Sequence, residues 1–155
     1  FRSQDDPRFE LHLVTPADVE AGDGVTVHRL SEADPAMQEL IRSAHVSVLP
    51  SRAECFGIAS IEALACGVPV IQSTVGGSAD IVTDGETGLL VPPGRPDEIG
   101  HAIRSIVADD GRHAAMRVAA RTDAEQRFGL QRNVDHTVEL LLESIERHAR
   151  ERADR

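Results

Sequence analysis

Residues 45–73 read HVSVLPSRAECFGIASIEALACGVPVIQS, and this stretch is the most informative about the architecture. A short apolar strand, His45–Leu49, is followed by a loop, by a helical pattern over about Gly57–Cys66, and by a second predicted strand, Val70–Ser73. The helical pattern should end at Gly67, because glycine readily adopts the left-handed conformation that follows many helices. A strand, a helix and a strand in this order predict a βαβ unit with parallel strands.

The same alternation of strands and helices extends to both sides of this stretch. Upstream, two strands and a helix are predicted over Phe9–Val14, Val25–Leu30 and Pro35–Ala44, with Ser31 or Asp34 as the helix cap. Downstream, a strand is predicted over Gly88–Val91, followed by helices over Asp97–Val107, over residues 112–127, and around the apolar positions from Val134 to Ile145. The pattern predicts one α/β domain, residues 1–150, built on a doubly wound parallel sheet, and a charged tail, residues 151–155.

The composition argues against several classes of function. The net charge is −10 and every basic side chain is an arginine, while aromatic residues make up 3% and include neither Trp nor Tyr. We therefore expect no nucleic-acid partner, because the acidic surface repels phosphates and stacking side chains are lacking. Cys55 and Cys66 lack zinc-site spacing, so we expect no metal and interpret both as reduced thiols of a cytoplasmic protein. No apolar run is long enough to span a membrane.

The candidate site follows from the predicted sheet. Ligands of doubly wound sheets bind outside the carboxyl ends of the strands. Two loops come directly after predicted strands, Pro50–Phe56 and Thr74–Ser78. Two carboxylates lie at the first of these loops, since Glu54 is within it and Glu62 is about one and a half turns inside the next helix.

The residue types at this helix start suit two kinds of chemical group. Phe56, Gly57 and Ile58 supply backbone N–H groups at a helix N-terminus, which attract a phosphate, and Gly57 allows close approach to the backbone. The carboxylates of Glu54 and Glu62 suit vicinal hydroxyls, because an ionised carboxylate can accept two hydrogen bonds. A ligand with phosphates in the middle and hydroxylated rings at both ends fits this layout, as in a nucleoside diphosphate sugar.

The stretch resembles the E-x7-E signature of retaining glycosyltransferases of the two-Rossmann-domain type, especially glycosyltransferase family 4 (group 1). Glu54 and Glu62 are separated by seven residues, and the run from Glu62 to Ile71 also matches. The Gly76-Gly77 pair and the run from Asp84 to Val91 match the turn and strand that follow in the family. The resemblance is detailed from Val46 to about Ile106.

This resemblance implies a role for each site residue. The chain would be the C-terminal, donor-binding domain, with a Rossmann-like fold that lacks its first βα unit. Glu54 would contact hydroxyls of the donor sugar near the reacting carbon, and Glu62 would hold the ribose hydroxyls. The amides around Phe56, Gly57 and Ile58 would contact the sugar and the diphosphate. The remaining expected site residues are Ser51, Thr74, Gly76 and Gly77, which would line the entrance of the site, and Arg29 and Leu30, which would lie near the nucleobase of the donor.

The resemblance also implies the setting in which the domain works. The donor would be a UDP- or GDP-linked sugar, transferred to an acceptor hydroxyl with retention and without a cofactor or tightly bound metal. Because the chain does not begin with Met and lacks the family's first strand and helix, we expect a piece of a larger protein that is inactive alone. An N-terminal acceptor-binding domain would be missing, and the exposed sheet edge would invite self-association. The parent protein would be cytoplasmic, with the inner face of the membrane as an alternative site.

Two other functions stay open. The first is a non-catalytic nucleotide-binding or interaction module made from a degenerate glycosyltransferase domain. The second is a nucleotide-sugar epimerase of similar fold, against which the E-x7-E string argues, because epimerisation uses a different set of acid and base carboxylates.

Overall fold

A computed structural model describes residues 8–31 and 33–153 of the chain. Its strands are Leu11–Val14 (β1), Val25–His28 (β2), Ser47–Leu49 (β3), Val70–Ser73 (β4) and Gly88–Val91 (β5). Its α-helices are Pro35–Ser43 (α1), Ile58–Ala65 (α2), Pro96–Val107 (α3), Asp110–Phe128 (α4) and Leu130–Ala153 (α5). A short 3-10 turn, Ser78–Asp80, precedes β5. The predicted α/β class is confirmed.

The strands form two parallel sheets. β1 pairs with β2, with Leu11 opposite Val25, and the second sheet has the order β3-β4-β5. The prediction of one doubly wound sheet is therefore realised as two separate ladders within the described residues. The smaller sheet is not covered on both faces, because Leu11 and Leu13 of β1 are half-buried but His12 and Val14 are exposed. This alternation of apolar and polar positions leaves one face of the smaller sheet open to water.

The core is built around β4, whose four residues are all buried. Val70 packs in a cluster with Leu64 of α2 and Ala120 of α4. The next residue, Ile71, belongs to a second cluster with Ile106 of α3. Successive side chains of a strand point to opposite faces, so β4 is covered on both sides. All buried hydrophobic residues of the described chain lie between Ala63 and Ala124.

Aspartate caps set the starts of two helices. Asp34 caps α1 by accepting from the Ala36 N–H at 2.9 Å, which selects between the two predicted caps. Asp109 caps α4 by accepting from the N–H groups of Gly111 and Arg112, so α4 begins earlier than the predicted residue 112. α5 also begins earlier than predicted, at Leu130.

Side chains of α4 satisfy carbonyl groups of neighbouring segments. Arg121 donates to the carbonyl of Ala65, the last residue of α2, and Arg127 donates to the carbonyl of Asp80. Arg117 donates to the carbonyl of Ala44 at 3.1 Å. The last carbonyls of a helix have no partner within the helix, so a positively charged donor at the end of α2 stabilises it. These bonds hold α4 against the elements that carry the candidate site.

Candidate functional site

The structure brings together the two loops that were predicted to form the site. The loop after β3 runs from Pro50 to Gly57, and the loop after β4 begins at Thr74. They are joined by a hydrogen bond from the Gly77 N–H to the Cys55 carbonyl, 3.1 Å long. Both therefore lie at the carboxyl end of the three-stranded sheet, as expected for a ligand site of an α/β protein.

Gly76 and Gly77 pack beneath the first loop. A Cβ atom on Gly76 would lie 1.8 Å from the Glu54 carbonyl oxygen, and one on Gly77 would lie 3.0 Å from Cδ2 of Phe56. Gly76 also has a φ of 53°, which favours glycine. We expected both glycines to line the mouth of the site, and the structure adds a packing reason for them, since any side chain would push the two loops apart.

The N-terminus of α2 has no side-chain cap. Gly57 precedes it with a φ of 98°, and the Ser60 N–H donates to its carbonyl at 2.9 Å to start the helix. Gly57 is buried, and its Cα faces Leu49 and Gln72 of the sheet. Its neighbours Phe56 and Ile58 are 42% and 68% exposed, so the helix tip itself faces solvent. Free N–H groups and a positive helix end at such a tip attract an anion.

The two predicted carboxylates flank this tip in the chain and are both accessible to solvent. Glu54 is half-buried, and its Oε1 accepts from the Cys55 N–H at 3.1 Å, which fixes the carboxylate against its own loop. Glu62 lies on α2 and is exposed. Both carboxylates can therefore accept hydrogen bonds from hydroxyl groups of a ligand.

The remaining predicted site residues fall into two groups. Ser51 follows β3 directly and is half-buried, and Thr74 is tied to the end of β5, because its N–H donates to the Val91 carbonyl at 2.9 Å. Arg29 and Leu30 follow β2 in the other sheet. The Arg29 guanidinium donates to the carbonyls of Pro16 and Ala17, at 2.8 Å each, and to Asp18 at 3.2 Å. Arg29 thus fastens the loop that follows β1, which sequence reasoning did not foresee.

Two buried polar side chains near the site were not among the site residues predicted from the sequence. Gln72 of β4 is 0% exposed and Ser60 of α2 is 1% exposed, and their amide and hydroxyl atoms lack hydrogen-bond partners among the described residues. The available signal for Gln72 was a long polar side chain directly after the apolar pair Val70 and Ile71 in a predicted strand.

Two surface depressions lie on α5, away from these loops. Each is lined by α5 alone, one of them by Ser144, Ile145, His148, Ala149 and Arg152. Since a single helix lines each of them, neither encloses a ligand. Within residues 8–31 and 33–153, no group of three or more His, Cys, Asp or Glu side chains could hold a metal ion. None of the described helices combines the length and the apolarity needed to cross a membrane.

Comparison with known proteins identifies a family that matches most of the chain. The family described as glycosyl transferases group 1 matches residues 17–123. A D-inositol 3-phosphate glycosyltransferase of Paenarthrobacter aurescens is 37% identical over 121 residues, which cover 78% of this chain and 29% of that protein. One from Rhodococcus jostii is 40% identical over 113 residues, covering 73% of this chain and 24% of that protein. The chain thus spans about a quarter of the length of these relatives.

Solved structures show the same architecture. A sucrose-phosphate synthase of Thermosynechococcus elongatus is similar with a TM-score of 0.77 and 30% identity, covering 93% of this chain and 40% of that one. The Anabaena protein HepE in complex with UDP-glucose has a TM-score of 0.66 and 26% identity, covering 77% of this chain and 32% of that one. These likenesses match the chain to the Rossmann-like C-terminal domain of glycosyltransferases with the GT-B fold.

Proposed function

The chain belongs to the family of group 1 glycosyl transferases, and we propose that it is the donor-binding domain of its enzyme. It would bind a nucleoside diphosphate sugar, whose sugar is passed to an acceptor hydroxyl with retention at the anomeric carbon. HepE is similar to this chain and was solved with UDP-glucose and with UDP, which supports a UDP-linked donor, with a GDP-linked donor as the alternative.

The observation that carries the proposal is the uncapped tip of α2 between two accessible carboxylates. A diphosphate at the tip would accept hydrogen bonds from the backbone N–H groups after Gly57, and the helix dipole would stabilise its charge. Glu54 and Glu62 cannot bind phosphate, because like charges repel, but each can accept hydrogen bonds from hydroxyl groups. Along the chain the order is carboxylate, helix tip, carboxylate. A nucleotide sugar has the matching order of hydroxyls, diphosphate and hydroxyls.

Each residue has a defined part in the proposed reaction. Glu62 holds the ribose hydroxyls, while Glu54 holds hydroxyls of the donor sugar close to the anomeric carbon. As the bond between this carbon and the diphosphate breaks, negative charge grows on the departing phosphate. The N–H groups at the α2 tip are already oriented towards that charge and lower the barrier electrostatically. No metal or other cofactor takes part in this scheme.

The proposal includes partners outside this chain. The acceptor would be held by an N-terminal domain, in keeping with relatives that are about three times as long as the chain. Cys55 and Cys66 are free thiols, which fits a cytoplasmic protein. The edges of two short parallel sheets offer a surface for self-association.

Isothermal titration of the full-length gene product that contains this chain tests the proposal. We expect binding of UDP-glucose and UDP, or of GDP-mannose and GDP, and a loss of affinity of about tenfold or more in Glu62→Ala, because charge-assisted hydrogen bonds to the ribose are lost. Glu143→Ala, at an exposed position of α5, is the matched control.

The outcomes separate the candidate functions. Failure of the wild-type protein to bind any of the four nucleotides contradicts donor binding, and unchanged affinity in Glu62→Ala contradicts the ribose role. Binding without transfer to any acceptor indicates a non-catalytic module. Inversion at the anomeric carbon of the product, seen by NMR, contradicts retention.

A further inference from the structure

The carboxamide of Gln72 is a buried polar group that the scheme above does not use. Gln72 is the third residue of β4 and is 0% exposed. Neither its Nε2 nor its Oε1 has a hydrogen-bond partner among the described residues. Native proteins rarely bury such groups unpaired, because each unmade bond costs free energy. The group therefore calls for a partner that lies outside the fold itself.

The position of this amide links it to the proposed donor site. A Cβ atom on Gly57 would lie 2.9 Å from Gln72 Nε2 and 3.6 Å from its Cδ, so the amide lies next to the residue at which α2 begins. The hydroxyl of Ser60, also buried and unpartnered, is three residues further along, and positions three apart lie on one side of a helix. Three unpaired polar atoms thus lie beside the first turn of α2.

The identity of these atoms selects the ligand group. A carboxamide has a donor, Nε2, and an acceptor, Oε1, and both are unpaired here. A diphosphate offers acceptors only, so it can satisfy Nε2 but not Oε1. A hydroxyl group can accept from Nε2 and donate to Oε1, which satisfies both.

We propose that Gln72 is a specificity residue that binds a hydroxyl group of the donor sugar, which rests on the proposed function. Because Gly57 has no side chain, its backbone lies directly between the Gln72 amide and the tip of α2. For a hydroxyl to reach the amide, the loop between Pro50 and Gly57 must shift. This loop contains neither helix nor strand, so its shift would break the hydrogen bond between Gly77 and Cys55 but no strand pairing.

The test replaces the amide without changing its length. In the full-length gene product we compare Gln72→Met with wild type, using titration with UDP-glucose against UDP and GDP-mannose against GDP. We expect Gln72→Met to lose about tenfold in affinity for the nucleotide sugar and less than twofold for the nucleoside diphosphate. Its Tm should equal or exceed that of wild type, because two unpaired polar atoms leave the core. Gln38→Met, at an exposed position of α1, controls for the substitution itself.

Each other outcome overturns the inference. An equal loss for sugar nucleotide and diphosphate assigns Gln72 to the phosphates, and a lowered Tm without selective loss makes the amide a structural group. If Gln72→Met does not fold, Gln72→Leu serves in its place, and failure of both shows that the amide is needed for folding. If wild-type protein binds none of the four nucleotides, the proposed function fails first, whereas wild-type binding with unaltered Gln72→Met affinity refutes this inference alone.

Discussion

The carbonyl oxygen of Glu54 occupies the space into which a side chain on Gly76 would project, since a Cβ atom there would lie 1.8 Å from it. This contact joins two loops that are far apart in the sequence. It fixes the backbone of Glu54 and thereby the position of its carboxylate. The geometry of the proposed donor site therefore depends on Gly76, because this residue has no side chain.

Replacing Gly76 with alanine should therefore separate the two loops. We expect Gly76→Ala to lower the free energy of unfolding by about 2–4 kcal/mol and to weaken nucleotide binding, because backbone must move as well as adopt a strained φ. Gly85→Ala is the matched control, since Gly85 has a φ of 82° but nothing within 4 Å of its Cβ position. The control should lose only about 1–2 kcal/mol in urea unfolding. Equal losses would show that the Glu54 contact is unimportant.

A second close approach lies inside the sheet. A Cβ atom on Gly88 of β5 would lie 1.9 Å from the carbonyl oxygen of Val70 on β4. Gly88→Ala should push these paired strands apart and cost about 3 kcal/mol of unfolding free energy, measured by urea denaturation. Gly94→Ala, at an open position with a φ of 72°, should cost less. A Gly88→Ala protein as stable as the Gly94→Ala protein would contradict the crowding seen here.

The local pattern of the sequence predicted the elements better than the contacts between them. The predicted bounds of β4 and β5 match the observed strands, and Asp34 was one of the two residues predicted to cap α1. The contact of Glu54 with Gly76 joins residues distant along the chain, so no local pattern reveals it. The same holds for Gln72 beneath Gly57, and for Arg29, whose partners lie in the loop after β1. Motif spacing located the candidate site, while only the fold shows which groups in it lack partners.

The bond from Arg121 to the end of α2 should contribute measurably to stability. Arg121→Met removes the donor to the Ala65 carbonyl, and we expect a loss of about 1 kcal/mol in thermal or urea unfolding. Arg121 also pairs with Glu125 at 2.6 Å, but this pair is solvent-exposed and should contribute little. Glu125→Gln breaks the pair alone and should cost less than about 0.5 kcal/mol. A larger effect of Glu125→Gln would assign the stabilisation to the ion pair.

The carboxylate of Glu54 should matter for transfer more than for nucleotide affinity. Because we place it beside the donor sugar, Glu54→Gln should lower kcat by at least about tenfold and leave the affinity for UDP or GDP within about twofold. Steady-state kinetics and titration of the full-length protein measure both, with Glu86→Gln in an exposed turn as the control. Loss of nucleotide affinity with unchanged kcat would place Glu54 at the nucleotide instead.

The long last helix should add little to the stability of this chain. Leu141 and Ile145 of α5 are 59% and 64% exposed, whereas Ile106 of α3 is fully buried. Leu141→Gln and Ile145→Gln should each change the unfolding free energy by less than about 0.5 kcal/mol, while Ile106→Ala should cost about 2–5 kcal/mol. A cost of more than about 1 kcal/mol for either glutamine variant would show that α5 packs against the rest of the chain.

The buried hydrophobic residues are confined to positions 63–124, so different parts of the chain should differ in how often they open locally. The elements before Gly57 contain no fully buried residue within the described part, whereas β4 is buried along its whole length. Amide protons of β1, β2 and α1 should exchange with deuterated solvent through frequent local openings, and those of β4 only through global unfolding. The loop from Pro50 to Gly57 lies at the boundary between these regions, so its contacts with Gly76 and Gly77 should open more often than the pairing of β4 with its neighbouring strands.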